Sequence, residues 1–248
     1  MSEVVPTTLR RPASSETPGF VLHWYAYSET SMIVEVFTRD SGRVPLVAKG
    51  ARRPRGSVLV QFQPYDFSWT GKGDLKTLRR ADWQGGLQPL PPGRLFCGFY
   101  LNELLMKLLA REDPHEQLFE AYARSIEYLA IGAEEGPVLR EFEKALLKET
   151  GFALVLTQEA QTLRPVVAEH AYVFVPDEGV RRWDGRDTVG EAGGVILDGK
   201  TLIDIDQGNY AEPRTAQVAK QLMRRLLDRQ LNGKTLATRQ ILSQMLGT

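Results

Sequence analysis

Residues able to do chemistry are few and scattered. The three histidines, His23, His115 and His170, have no partners at metal-ligand spacing, which assigns them structural roles. Cys97 is the single cysteine, so an internal disulfide and a multi-cysteine zinc site are both excluded. Gly71-Lys72-Gly73 opens like a phosphate-binding loop but lacks the later glycine and the Lys-Ser/Thr ending, and reads as a hairpin turn. The pair Glu134-Glu135 lies beside a turn, as solvated carboxylates do. No catalytic constellation emerges, and none of these residue types calls for a cofactor.

Cations are arranged differently. From Arg43 to Arg55 the chain carries Arg43, Lys49, Arg52, Arg53 and Arg55 without one acid. A second set, Lys72, Lys76, Arg79 and Arg80, falls on the following hairpin. The third is Lys220, Arg224 and Arg225 with Arg229, Lys234 and Arg239, where 220 and 224 share a helical face opposite Leu222 and Leu226. An arginine-rich loop at a barrel rim follows a phosphate backbone well, because each counterion it displaces adds favourable entropy. Tyr25, Tyr27, Phe62, Tyr65, Phe67 and Trp69 are interleaved with the first two sets, and in a barrel about half of such rings face inward.

The charge balance agrees. The 31 basic and 31 acidic residues cancel over 248 positions, but not locally. Residues 1–95 carry +5, 96–160 carry −6, 161–211 carry −4, and 212–248 carry +5. Electrostatic fields decay over ~8–10 Å, so two basic ends flanking an acidic middle form local polyanion-binding surfaces despite a net charge of zero. Ordinary solvated faces would give the same counts. No apolar run approaches the ~18–20 residues of a membrane helix. Residues 1–19 lack the apolar centre of a secretory signal and read as a flexible tail, which leaves the cytoplasm as the simplest compartment.

These cations need elements to position them. Five runs rich in β-branched and aromatic residues, Phe20–Tyr27, Ser31–Thr38, Arg43–Lys49, Ser57–Trp69 and Asp74–Trp83, are separated by turn residues. Five short strands over residues 20–92 suit a small barrel: an OB-fold, an SH3-like barrel or an open meander. After Pro89–Gly93 the pattern becomes helical over 93–248, an α+β chain overall. Leu101, Leu104, Leu105 and Leu108 mark the first helix. Asp113-Pro114-His115-Glu116 reads as the N-cap and first turn of a second, and Gly136-Pro137 starts a third that stops at Gly151. Residues 152–211 lose that period and read as a β-containing insertion with runs at His170–Val175, Gly194–Leu197 and Thr201–Ile205. Helix resumes after Pro213, pauses at Asn232-Gly233 and restarts near Thr235.

The blocks Val21-Leu22-His23, Ser28-Glu29-Thr30-Ser31, Ser41-Gly42-Arg43-Val44 and Leu46-Val47-Ala48-Lys49-Gly50-Ala51-Arg52 resemble the N-terminal domain of the RecO family of recombination mediators. The likeness continues through Tyr100–Leu105, Leu139-Arg140-Glu141-Phe142-Glu143 and Thr238-Arg239. It implies an N-terminal OB-fold and a C-terminal helical bundle interrupted by a small subdomain. Many members hold zinc there with four cysteines; this subdomain has none, as in a zinc-free branch. The resemblance further implies binding of single- and double-stranded DNA, strand annealing, and cooperation with RecR in loading RecA. It also implies docking of the acidic C-terminal tail of single-stranded-DNA-binding protein. The family's Leu-Arg-x-Phe motif falls on Leu139, Arg140 and Phe142, which makes Arg140 the expected partner of the tail carboxylate. The alternative is a surface arginine paired with Glu143. A protein-interaction adaptor without direct DNA contact is the competing function.

Overall fold

The computed structural model describes residues 16–54, 56, 59–152, 154–176, 178–185 and 194–246. Five strands, β1 (Thr17–Ala26), β2 (Met32–Thr38), β3 (Gly42–Ala48), β4 (Pro64–Thr70) and β5 (Lys76–Trp83), close a barrel in the order β1-β2-β3-β5-β4. Every pairing is antiparallel except β3 with β5, and this is the OB-type arrangement. Strand period decides which residues line it: Val21, Val34, Val36, Val44, Leu46 and Phe67 point inward and fill the barrel. Alternate residues of the same strands, Phe20, Leu22 and Phe37, face out and belong to a second core.

That second core is helical. It holds α1 (Leu95–Leu108), α2 (Glu116–Ala130), α3 (Glu135–Glu149), α5 (Pro213–Leu231) and a three-stranded sheet of β6 (Ala171–Val175), β7 (Gly179–Arg182) and β8 (Val195–Asp198), ordered β7-β6-β8. The helix α4 (Gly199–Gln207) follows β8, and α6 (Ala237–Leu246) packs on α1. Tyr122 joins barrel to helices. Its ring meets Phe20 at 5.2 Å and Phe142 at 6.3 Å, and its hydroxyl donates to Asn102 Oδ1 at 2.6 Å. Asn102 in turn donates to the Leu22 carbonyl at 2.9 Å, so the Tyr122 hydroxyl and the Asn102 amide are paired across this seam.

Four expectations are corrected. Strand β1 begins at Thr17, inside the segment read as tail, and Thr17 Oγ1 donates to Asp40 at 2.8 Å. Of the run read as Ser57–Trp69, residues 57 and 58 lie outside the described residues and 59–63 are not strand: β4 starts at Pro64, after Phe62 at φ 64° turns the chain. Thr201–Ile205 is helical: Asp198 accepts from the Thr201 N–H at 2.7 Å and caps α4, a local signal that outweighs β-branched content. Asp113 does not cap α2, which starts at Glu116. The His115 ring lies instead between Asp113, at 3.3 Å, and Glu149, at 3.1 Å.

The connection from α1 to α2 is pressed against the barrel. Gly42 sits at φ 64°, and a Cβ there would come within 2.0 Å of the Asp113 carbonyl oxygen. Gly42→Ala is therefore expected to destabilise the chain by about 2 kcal/mol or more, read as a lower urea midpoint at unchanged slope.

Candidate nucleic-acid interface

The loop after β3 turns at Gly50, with φ 72°, and is fastened by the Arg53 N–H to the Gly50 carbonyl at 3.0 Å. Arg52 pins it to the β1–β2 loop: its N–H reaches the Thr30 carbonyl at 3.1 Å and its guanidinium the Ser28 carbonyl at 2.7 Å. Lys49 and Arg53, both exposed, thereby flank a cleft of about 530 Å³. Arg79 and Arg80 of β5 line its other side, with Leu59, Leu78 and Ala81. A β-bulge makes this possible. Between Leu78 and Arg80 the ladder with β4 gains one residue, so Leu78 and Ala81 both pack on the barrel core while Arg79 and Arg80 are both exposed. Arg79 donates to Thr70 Oγ1 at 3.0 Å, and Arg80 pairs with Asp82 at 2.8 Å and Glu16 at 3.2 Å. No carboxylate lines the cleft itself, among the described residues. Lys72 is exposed on the β4–β5 turn.

Three cations named from the sequence are turned to structural work. Arg43 is mostly buried, donates to the Met106 carbonyl at 2.9 Å and lies 4.0 Å from Glu35; desolvation lowers its pKa, opposed by that carboxylate. Glu35, almost fully buried, also accepts from Arg111. Lys76 is buried and paired with Glu112 across the barrel–helix seam. Arg239 lies over the Tyr100 ring at 5.7 Å and pairs with Asp228, tying α6 to α1 and α5. In each case helices, or the α1–α2 connection, added by the tertiary fold engage a side chain that its own strand or helix would leave outside. Arg55 lies outside the described residues. On α5, Lys220 and Arg224 are exposed, Arg224 within 3.8 Å of Asp228, while Arg225 donates to the Gly194 carbonyl at 2.9 Å. Lys234 is exposed in the α5–α6 turn.

The Leu-Arg-x-Phe positions are likewise redistributed. Arg140 is buried and donates to Glu143 Oε1 at 2.6 Å, which also accepts from the Tyr100 hydroxyl at 2.6 Å. The expected tail cation is thus spent internally, on the partner named as its alternative. Leu139 is half-buried, and Phe142 is fully buried at the floor of another groove. This groove, of about 530 Å³, runs between α2 and α3, with Val138, Leu154 and Leu156 as further apolar lining. Arg124, Lys144 and Lys148 stand along it. Lys144 donates to Glu141 at 3.0 Å and to the Ile205 carbonyl at 2.8 Å, whereas Arg124 and Lys148 are exposed. Arg124 went unread because it stands alone in an acidic stretch; only its place across from α3 brings it to Lys148.

Elsewhere the chemistry is quiet. Burial, followed by the neighbouring Glu135 carboxylate, pushes the Cys97 thiol up to about 11, out of the range of a reactive thiolate. No cluster of three His, Cys, Asp or Glu side chains able to hold a metal occurs among the described residues. No described helix is long and apolar enough to cross a membrane.

A closed five-stranded barrel bearing a cationic cleft, joined through a shared core to a helical region, defines a protein with an OB-type N-terminal barrel and a helical C-terminal half. The match to known families is specific: residues 13–86 fit the model for the N-terminal part of recombination protein O, and residues 92–240 the model for its C-terminal part. The chain belongs to the RecO family. It is 48% identical to a protein named DNA repair protein RecO in Paraburkholderia xenovorans, over 94% of this chain and 79% of that one. A protein of the same name in Dechloromonas aromatica is 46% identical, over 96% of this chain and 98% of the other.

Proposed function

We propose that this chain is a DNA-binding mediator of recombinational repair, acting on the nucleoid in the bacterial cytoplasm. It anneals complementary strands and, with RecR, helps load RecA onto single strands coated with their binding protein. The relatives' shared name supports the repair role. The observation that carries DNA contact is the convergence of Lys49, Arg53, Arg79 and Arg80, from one strand and a loop, on one cleft without carboxylates among the described residues. Annealing is opposed by repulsion between two phosphate chains. Cations on the barrel (these four with Arg52 and Lys72) and on the helical half (Lys220, Arg224, Arg225 and Lys234) neutralise one strand each, and no bond is made or broken. The test is annealing of coated complementary oligonucleotides without nucleotide or metal. Acceleration by the chain supports the reading; no acceleration and no strand binding near physiological salt would leave a protein-interaction adaptor.

The coat protein's tail, acidic and ending in an apolar residue and a carboxylate, fits the α2–α3 groove better than it fits Arg140. Phe142, Leu154 and Leu156 offer an apolar floor, and Arg124 and Lys148 offer cations that solvent reaches. Arg124→Ala and Lys148→Ala are each expected to weaken a labelled tail peptide about tenfold, the size of one charge-assisted hydrogen bond. Equal affinity for both variants and wild type removes the groove from the site.

A further inference from the structure

The cationic cleft leads into a second one. At the mouth of the barrel lies a cavity of about 750 Å³ whose lining includes Leu59, Phe62, Tyr65, Ala81, Trp83 and Phe99 and contains no charged residue. Leu59 and Ala81 line both clefts, so the two are continuous along β5. We propose that this cavity is a base-binding subsite for single-stranded nucleic acid, with Trp83 as its stacking platform. The proposal rests on the DNA-binding reading and names the bases' place within it.

Trp83 is 63% exposed, the most exposed Trp, Tyr or Phe side chain among the described residues. A single exposed indole is ordinary, but this one is contiguous with the apolar lining of the cavity, and a contiguous exposed apolar surface is what marks a binding groove. It is also held still: its N–H donates to Gln63 Oε1 at 3.1 Å, leaving the ring face presented in a set orientation. The cavity wall is equally built. Phe62 occupies φ 64°, an uncommon conformation for a bulky residue, and its ring stacks edge-on against Phe99 at 5.2 Å. Gly98 leaves the room for it, since a Cβ there would come within 2.8 Å of the Phe62 ring. A flat, polarisable base between such walls, with its phosphates over Arg79 and Arg53, matches both clefts at once. A duplex does not, because its bases are already stacked on one another.

Other exposed rings are placed less well. Trp24 and Tyr27 line neither cleft. Tyr25 lines a cavity beside Glu103, whose desolvation is outweighed by hydrogen bonds from Thr238 and Ala237, so that its pKa lies below the usual value. Lys107, which lines the same cavity, is paired with that carboxylate at 3.5 Å, so among the described residues no uncommitted cation stands beside Tyr25 to hold a phosphate.

The experiment titrates the full chain, across salt, with a fluorescent oligo-dT, a strand of equal length made of abasic sites, and a duplex. Trp83→Ala is expected to weaken oligo-dT about tenfold with an unchanged salt slope, since no cation is lost. Abasic strand and duplex bind it as they bind wild type, and Trp83→Phe recovers most of the loss. Oligo-dT affinity equal to wild type overturns the subsite, as does an equal loss on the abasic strand. Self-association altered with DNA binding intact also overturns it, in favour of a contact between copies. Failure of wild type to bind oligo-dT at all would instead overturn the DNA-binding reading.

Discussion

Alanine at Lys49, Arg53 and Arg79 together is expected to reduce the slope of log affinity against log salt for single-stranded DNA by about 2. Each phosphate neutralised on a single strand contributes ~0.7 to that slope. The same arithmetic gives a loss of about 50-fold at 0.15 M salt, shrinking as salt rises. All three side chains are exposed at one cleft, and Arg79's bond to Thr70 is at the surface, so the fold does not depend on them. Alanine at Arg43, Lys76 and Arg239 makes the informative contrast. These cations carry the same formal charge but are occupied by Glu35, Glu112 and Asp228. Their loss should lower thermal stability while the salt slope of the protein that remains folded stays near the wild-type value. An unchanged slope in the first triple variant would remove the barrel cleft from the DNA path and leave the exposed α5 cations as the strand contact.

The second large effect concerns stability. Glu143→Ala leaves the Arg140 guanidinium buried without its counter-charge, and removing one partner of a buried pair typically costs about 3–5 kcal/mol. For a chain of this size that corresponds to a Tm lower by roughly 6–20 °C. Arg140→Ala strands Glu143, which keeps the Tyr100 hydroxyl as donor and so should lose less. Arg140→Met with Glu143→Met removes both charges, and is expected to recover most of the loss because apolar residues of similar volume replace the pair. Calorimetry of the three variants checks this. A Glu143→Ala Tm equal to wild type would show that water reaches the pair. The Arg140 variant bears on the tail site too: once folded, it should bind tail peptide as wild type does, whereas Arg124→Ala should not.

The annealing model asks for two strands on one protein, and the described structure offers two groups of exposed cations on different elements. Those at the barrel are gathered by a loop and a bulge, while those on α5 follow from helical spacing alone. The first group is pre-organised and the second lies along a helix surface.

Strand and helix periods lay open in the sequence, and with them five barrel strands, the helices around Leu101, Tyr122 and Phe142, and α5 with its Lys220–Arg224 stripe. Such patterns are local: the alternation that buries Val34 and Val36, or the 3.6-residue spacing that buries Leu222 and Leu226, is written in neighbouring residues. The motif blocks shared with the RecO family were equally legible. What a charged side chain meets across the fold is not local. Arg43 and Lys76 sit on strands whose alternation would leave them outside, until α1 and its following loop cover them. The Arg140–Glu143 pair is local and its spacing was legible, but its burial comes from across the fold, where the Tyr100 hydroxyl donates to the same carboxylate. Arg79 gains its place beside Arg80 from a bulge that no composition rule anticipates, and Arg124 gains relevance only from facing α3. Desolvation depends on what packs above a residue, which is set by contacts tens of positions away. Residue types and spacing therefore decided the elements and the family, and tertiary packing decided which of the cations remained free to meet a phosphate.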